Sequence, residues 1–231
     1  MKVKAKKIGV LGGIGPEATG NFYLKLITRL QEEGLIKSNQ DFPQIFINSI
    51  PAPELIFDNI SGEDLLPYVQ GLKELDKLNP DFIVMVCNTI HLFYDRLQKE
   101  VNTPIINLKQ ELKDSLTKRG IDSVFIIATP NCIKQGLYRF NGLKIFEPND
   151  KEMNKLTDAI FNFNKGLNKQ AQVKLVKSIC QKYLNKGAKT VILGCTEFAV
   201  MLGNETFPKI NTIDVLVEAV VEVIPKHFYN H

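Results

Sequence analysis

The chain has 231 residues, of which 44% are hydrophobic, 23% charged and 9% aromatic. This composition is typical of a globular protein and excludes an intrinsically disordered chain. The formal net charge is +4, from 29 basic and 25 acidic residues. That charge is too small, and the basic residues are too dispersed, to indicate a partner such as nucleic acid or an anionic membrane. No apolar run reaches the roughly 18 residues that a membrane span requires.

In the first half of the chain, short β-branched runs alternate with longer amphipathic stretches, as in a parallel sheet with crossover helices. The predicted strands are residues 8–11, 45–47, 82–86 and 104–106. The predicted helices are residues 16–33, 65–78 and 108–118, with another helix that carries His91, Phe93 and Leu97. The loop at residues 12–16 joins the first strand to the first helix, and Pro16 suits the first turn of that helix.

The second half repeats this alternation. Its predicted strands are residues 124–128 and 190–193, with a short strand near Ile210. Its predicted helices are residues 150–164 and 170–184, a helix that ends at Leu202, and a terminal helix over residues 212–228. The whole pattern predicts an α/β protein with mainly parallel sheets.

An internal repeat links the two halves. Residues 82–89 (FIVMVCNT) and 190–197 (TVILGCTE) are both apolar strands that end in a cysteine and a polar pair, and residues 8–16 match 124–132 more loosely. The repeat predicts two similar three-layer α/β domains related by a pseudo-twofold axis, one of residues 1–107 plus 211–231 and one of residues 108–210. Ligands bind at the carboxyl ends of parallel strands, so Cys87 and Cys195 should face each other across an interdomain cleft.

Two facing thiols have a definite chemical use. Helix amides at a strand-to-helix junction should lower the pKa of a thiol, so that a thiolate can act as a base. A base on one face of a carbon and an acid on the other can invert the configuration of that carbon by proton transfer. Hydrogen-bond donors must then stabilise the negative charge that develops, which Asn88, Thr89 and Thr196 could do. Glu197 either orients this site or merely favours the start of a helix.

Other features of the sequence leave alternatives open. Cys132 and Cys180 are interpreted as small core side chains, and His91 is either half of a Cys–His pair or a packed histidine. The turn at residues 12–16 lacks the GxGxxG pattern of dinucleotide sites, so Gly13 is predicted to approach a small substrate instead. No CxxC pair and no metal-ligand spacing occur, which disfavours a redox protein or a metal site and predicts a cytoplasmic chain with reduced thiols.

Three motifs together resemble the aspartate/glutamate racemase family, in its aspartate racemase branch: residues 8–19 (IGVLGGIGPEAT), Cys87-Asn-Thr-x-His91 and Leu193-Gly-Cys-Thr-Glu197. The resemblance implies two α/β domains, often in a homodimer, that racemise aspartate, glutamate or a related small amino acid without pyridoxal phosphate or a metal. It implies acid/base roles for Cys87 and Cys195. The same resemblance implies that Asn88, Thr89 and Thr196 bind the substrate. It also places Thr129 in the loop on the substrate side and makes Lys165 a lysine that binds a substrate carboxylate.

The chain also departs from that family. Aspartate racemases usually carry an arginine near the second strand, but this chain has none between Arg29 and Arg96, and the corresponding segment reads PAPELI at residues 51–56. Cys132 stands where a threonine is common. The alternatives are therefore a dicarboxylate isomerase or decarboxylase with one nucleophilic cysteine, and a non-catalytic amino-acid-binding protein.

Overall fold

The structure, a computed structural model, describes residues 6–57 and 59–224. These residues form two parallel β-sheets with helices in the connections, which confirms the predicted α/β fold. The strands of this part of the chain are β1 Lys7–Gly12, β2 Gln44–Ser49, β3 Phe82–Met85, β4 Ser123–Ala128, β5 Lys144–Phe146, β6 Thr190–Gly194 and β7 Lys209–Asn211.

Helices connect these strands. The α-helices are α1 Pro16–Glu32, α2 Leu66–Asp76, α3 Tyr94–Gln98, α4 Leu108–Lys118, α5 Pro130–Lys134, α6 Asp150–Asn164, α7 Lys169–Asn185, α8 Thr196–Leu202 and α9 Thr212–Val223. Short 3-10 helices cover Asn39–Asp41 and Thr89–Phe93. Within the described ranges, these helices lack the length and apolar character that crossing a membrane demands.

The two sheets share one strand order. The first runs β2-β1-β3 and the second β5-β4-β6-β7, and all pairs are parallel. An isolated parallel bridge from Ile83 to Ile105 extends the first sheet beyond β3. In the second sheet, β7 occupies the equivalent position beside β6. The equivalent order agrees with the internal repeat. It also puts the residues after β3 and after β6 at corresponding edges of their sheets.

Burial explains why the central strands read as continuous apolar runs. Every residue of β3, β4 and β6 is buried, as expected for parallel strands covered on both faces. The edge strand β2 is instead partly exposed along its length. One cluster of buried apolar side chains includes residues of β1, β3, β4 and β6 and therefore spans both sheets, and a second cluster packs α2 against the other face of the first sheet.

Several elements differ from the predictions. The helix predicted after Cys87 is a 3-10 helix followed by the short α3, and β5 and α5 were not predicted. These elements have three to five residues, too few for a hydrophobic period to appear. Helix α9 ends at Val223, with Ile224 extended, and the predicted continuation to residue 228 lies outside the described residues.

Helix α9 packs against the first half of the chain. Arg29 of α1 donates to Glu218 of α9 at 2.6 Å, and Lys25 pairs with Asp214 at 2.5 Å. A surface groove of about 840 Å³ lies among α1, α4 and α9 and contains neither Cys87 nor Cys195. The assignment of residues 211–231 to the first domain, and of residues 108–210 to the second, stays a prediction.

Candidate active site

A cavity of about 400 Å³ lies where the carboxyl ends of both sheets meet. It is lined by the β1–α1 turn, the segment after β2, the ends of β3, β4 and β6, and one face of α6. The sequence-predicted site residues in its wall are Gly13, Cys87, Asn88, Thr89, Thr129, Cys195, Thr196 and Glu197. Side chains that are 108 residues apart in the sequence, Cys87 and Cys195, thus share one cavity.

The turn between β1 and α1 depends on two glycines with left-handed backbone angles. Gly13 has φ +85°, and a Cβ there would lie 2.4 Å from the carbonyl oxygen of Ile50. Its amide donates to Thr19 Oγ1 at 3.0 Å, so the turn itself uses this donor. Gly15 has φ +84°, and a Cβ there would lie 2.9 Å from Glu197 Oε1. The turn therefore reaches the second half of the chain closely enough that only glycine fits.

Cys87 directly follows Val86 at the end of the β3 segment. The backbone N–H groups of Ile90 and Thr89 act on its thiol in the direction that favours the thiolate. Burial acts in the opposite direction and is the larger effect, so the pKa of the Cys87 thiol rises to about 12. The expectation of a lowered pKa at this junction is therefore wrong, because the cavity removes the sulfur from water.

Cys195 stands immediately before α8 and pairs with a carboxylate. Its Sγ donates to Glu197 Oε2 at 2.8 Å. Burial first, and then the negative charge of Glu197, raise the pKa of the Cys195 thiol well above its usual value, and the backbone N–H of Glu197 only partly offsets this. Both thiols of the cavity are thus protonated near neutral pH, and the hydrogen of the Cys195 thiol points at the Glu197 carboxylate.

Both carboxylate oxygens of Glu197 accept hydrogen bonds from neighbouring side chains. Thr196 Oγ1 donates to Oε2 at 3.1 Å, and Asn164 Nδ2 of α6 donates to Oε1 at 3.2 Å. These contacts favour the interpretation that Glu197 orients the site over a general effect at a helix start. Asn164 was not predicted, although it is the neighbour of the predicted Lys165.

Asn88 belongs to a chain of hydrogen bonds that joins the two halves. Tyr138 Oη donates to Asn88 Oδ1 at 2.5 Å, and Asn88 Nδ2 donates to Thr212 Oγ1 at 3.1 Å. Thr212 Oγ1 in turn donates to the carbonyl oxygen of Leu193 at 2.8 Å. The Asn88 amide is thus fixed in orientation, and one of its two N–H hydrogens remains for a substrate.

Two threonine hydroxyls meet in the cavity wall. Thr89 Oγ1 and Thr129 Oγ1 are 3.1 Å apart, and Thr129 Oγ1 also caps α5 by accepting from the Cys132 amide at 3.3 Å. Cys132 is 2% exposed and its Sγ donates to Thr89 Oγ1 at 3.5 Å. Cys132 therefore supports the hydroxyls from behind rather than lining the cavity.

Three residues that the sequence singled out lie elsewhere. His91 is buried, with Nε2 3.4 Å from the carbonyl oxygen of Met85 and Nδ1 without a partner among the described residues. These contacts favour a packed histidine over a Cys–His pair. Cys180 is fully buried in the core. Lys165 is exposed at the C-terminal end of α6 and is not part of the cavity wall, whereas Asn164 is.

Sequence reasoning missed two acidic residues of the wall, Glu17 and Glu54. Glu54 lies in the segment of residues 51–56, where the family resemblance leads one to expect an arginine. A search for any charge in the loop after β2 would have found it.

Comparisons with known proteins identify the family of this chain. The model of the Asp/Glu/hydantoin racemase family matches residues 11–223. The chain is 25% identical over 201 residues, 84% of this chain and 87% of the relative, to a broad specificity amino-acid racemase, RacX, of Bacillus subtilis strain 168.

Solved structures show the same fold. An aspartate racemase of Picrophilus torridus has a TM-score of 0.79 at 21% identity, covering 97% of this chain and 98% of that one. An aspartate racemase homologue from Pyrococcus horikoshii has a TM-score of 0.71 at 27% identity, covering 95% and 99%. Because the family model spans nearly all of the described residues, the chain belongs to the Asp/Glu/hydantoin racemase family and is an isomerase of the racemase type.

Proposed function

We propose that this protein interconverts the L and D forms of a free amino acid by proton transfer at the α-carbon. Cys87 and Cys195 are the acid and the base, and the reaction uses neither pyridoxal phosphate nor a metal. The observation that carries this proposal is that both thiols line one cavity of about 400 Å³. A volume of this order suits a small molecule.

The proposed reaction moves one proton to an enzyme thiolate and another from an enzyme thiol. One cysteine, as thiolate, takes the α-proton, and the electron pair left on the carbon delocalises into the α-carboxylate. The thiol on the opposite face then gives its proton to the carbon, which inverts it. In the reverse direction the two cysteines exchange roles.

The cysteine that acts as the base must first release its own proton to solvent, and substrate binding must favour this release, since burial holds the pKa of both thiols high. The α-ammonium group supplies a positive charge that lowers a nearby thiol pKa. At Cys195 the carboxylate of Glu197 already accepts the thiol hydrogen at 2.8 Å. We therefore assign Glu197 the positioning of the Cys195 proton.

The negative charge that develops on the substrate carboxylate needs donors. We assign this to the hydroxyls of Thr89, Thr129 and Thr196, with the free N–H hydrogen of Asn88. Such donors are effective because they are oriented in advance by their protein partners. The proposed carboxylate contact of Lys165 would require its exposed side chain to fold over the cavity mouth.

The decisive experiment replaces each cysteine. Cys87→Ser and Cys195→Ser should each lower racemisation by about a thousandfold, because a serine hydroxyl is a far weaker acid than a thiol and is not converted to its basic form, the alkoxide, near neutral pH. Incubation of L-amino acids in deuterium oxide without added cofactor, followed by proton NMR and chiral chromatography, measures exchange and inversion. Cys180→Ala is the matched control, since Cys180 lies in the core away from the cavity.

Full two-way activity in either serine variant would exclude the two-thiol mechanism. A covalent adduct that survives in only one of the variants would instead indicate a single nucleophilic cysteine. Substrate binding without exchange in the unmodified protein would indicate a binding protein.

We further propose that the protein works as a homodimer in the cytoplasm. All four cysteines are free, as in a reducing compartment, and the homodimer rests on the resemblance to the aspartate racemase branch. Light scattering coupled to size-exclusion chromatography measures the oligomeric state, and a mass of one chain would contradict it.

A further inference from the structure

The charged side chains of the cavity wall all have the same sign. Glu17, Glu54 and Glu197 line it, and among the described residues that line it there is no lysine or arginine. A dicarboxylic amino acid would bring a second carboxylate into this negative field, where like charges repel. The wall therefore disfavours aspartate and glutamate as substrates.

Two of these glutamates are already engaged. Glu197 accepts from Cys195, Thr196 and Asn164. Glu17 forms an ion pair of 2.5 Å with Lys169. Glu54 makes no ion pair and no side-chain hydrogen bond within residues 6–57 and 59–224. Its charge is thus the one that remains for a ligand.

Glu54 stands on a segment that is held in place on both sides. Tyr68 Oη donates to the carbonyl oxygen of Pro53. On the other side Asn131 Nδ2 donates to the carbonyl oxygen of Leu55 at 3.3 Å, and the Asn131 amide donates to that of Ile56 at 2.9 Å. These bonds fix the backbone that carries Glu54, an exposed residue of the cavity wall.

The rest of the wall suits an aliphatic chain. Its apolar members are Ile14, Pro16, Ala52, Leu55, Ile56 and Ile160. A methylene chain buries favourably on such a surface while a charged end group remains beside a carboxylate.

From this arrangement we propose that the substrate is an amino acid with a long side chain that ends in a positive charge, and that Glu54 selects it as the counter-charge. The proposal rests on the racemase function proposed above. The α-carboxylate of such a substrate still binds the threonine hydroxyls, and only the side chain meets Glu54.

The experiment compares lysine with norleucine, which has the same chain but no charge, and with aspartate and glutamate. We expect kcat/KM for α-proton exchange to be about tenfold higher for lysine than for norleucine, because lysine gains one favourable charge pair with Glu54. It should be about a hundredfold higher for lysine than for aspartate, because aspartate meets a like charge instead. Glu54→Gln should lower the lysine value about tenfold and leave norleucine within about twofold. Glu54→Asp should restore part of the preference.

Glu63→Gln is the matched control, because Glu63 is exposed and lies outside the cavity wall. It should leave all four substrates unchanged. A preference for aspartate or glutamate would overturn this proposal while the racemase function stands, and would point to Lys165. The proposal would also be overturned if kcat/KM were equal for lysine and norleucine and Glu54→Gln did not alter either value.

If no amino acid exchanges its α-proton, the proposed function fails on its own. Calorimetric titration with lysine then decides the present proposal. Binding that Glu54→Gln weakens about tenfold supports it, and binding that is absent or unaffected overturns it.

Discussion

At Cys87 and Cys195, backbone amides and burial act on the thiol pKa in opposite directions. Amides and dipoles at a helix start are worth up to about 1 kcal/mol at most sites, less than one pKa unit, whereas full burial shifts a pKa by about 3 to 5 units. Burial therefore prevails, and the pKa of Cys87 rises to about 12. The motif identifies these cysteines, but the direction of their pKa shift depends on how the two halves of the chain enclose them.

The buried side chain of His91 should make the stability of the protein depend on pH. Burial lowers its pKa from the usual 6.5 to about 4, so the unfolded chain binds a proton at a higher pH than the folded chain does. The contribution of neutral His91 to the free energy of unfolding is thus complete above about pH 6.5. It is lost as the pH falls from about 6.5 to about 4.

We therefore expect the free energy of unfolding to fall between about pH 7.5 and about pH 5 by about 2 kcal/mol more in the native protein than in His91→Gln. Urea denaturation at the two pH values measures this difference. An equal decrease in both proteins would show that His91 is not the titrating group.

At the scale of elements, the β1–α1 turn links backbone geometry to the site. Gly15→Ala places a Cβ at φ +84° and 2.9 Å from Glu197 Oε1. The left-handed conformation costs about 1 kcal/mol of stability, and displacement of Glu197 should lower kcat by about tenfold or more, since Glu197 accepts the Cys195 hydrogen. Steady-state kinetics and chemical denaturation measure the two effects.

Gly34→Ala is the matched control for this turn. Gly34 is also left-handed, with φ +68°, but a Cβ there meets nothing within 4 Å. It should lose similar stability and keep its activity. If both variants kept full activity, the close approach of the turn to Glu197 would have no catalytic consequence.

Across the whole molecule, the larger of the two apolar clusters and a chain of hydrogen bonds join the two halves. Thr212 is 1% exposed and connects Asn88 to the carbonyl oxygen of Leu193. Thr212→Val keeps the volume but leaves buried polar groups of both halves unpaired, which should lower the free energy of unfolding by about 1 to 3 kcal/mol.

Because one cluster of buried apolar side chains spans both sheets, unfolding of this variant should remain a single cooperative transition, which calorimetry can verify. Thr117→Val is the control, since Thr117 is exposed and its hydroxyl bonds only within α4; its stability should change by less than about 0.5 kcal/mol. Two separate transitions in Thr212→Val would show that the halves fold independently.

The long elements and the positions of the two thiols follow from the amino-acid sequence. Strands such as β4 are continuous apolar runs and helices such as α6 carry a hydrophobic period, and both patterns are visible in the sequence. A cysteine that ends an apolar strand lies at the carboxyl edge of a parallel sheet. Short elements such as β5 and α5 escaped prediction, because pairing and capping across the fold stabilise them rather than a period of their own.

The surroundings of the thiols depend on how distant parts of the chain fold together. The hydrogen bonds of Asn88 with Tyr138 and Thr212, and the exposed position of Lys165, join or separate residues that are distant in the sequence. The same holds for the charge of the cavity wall, in which Glu54 is accompanied by no cation among the described lining residues. Burial and electrostatic fields depend on distances through space, and those distances exist only once both halves of the chain have folded against each other.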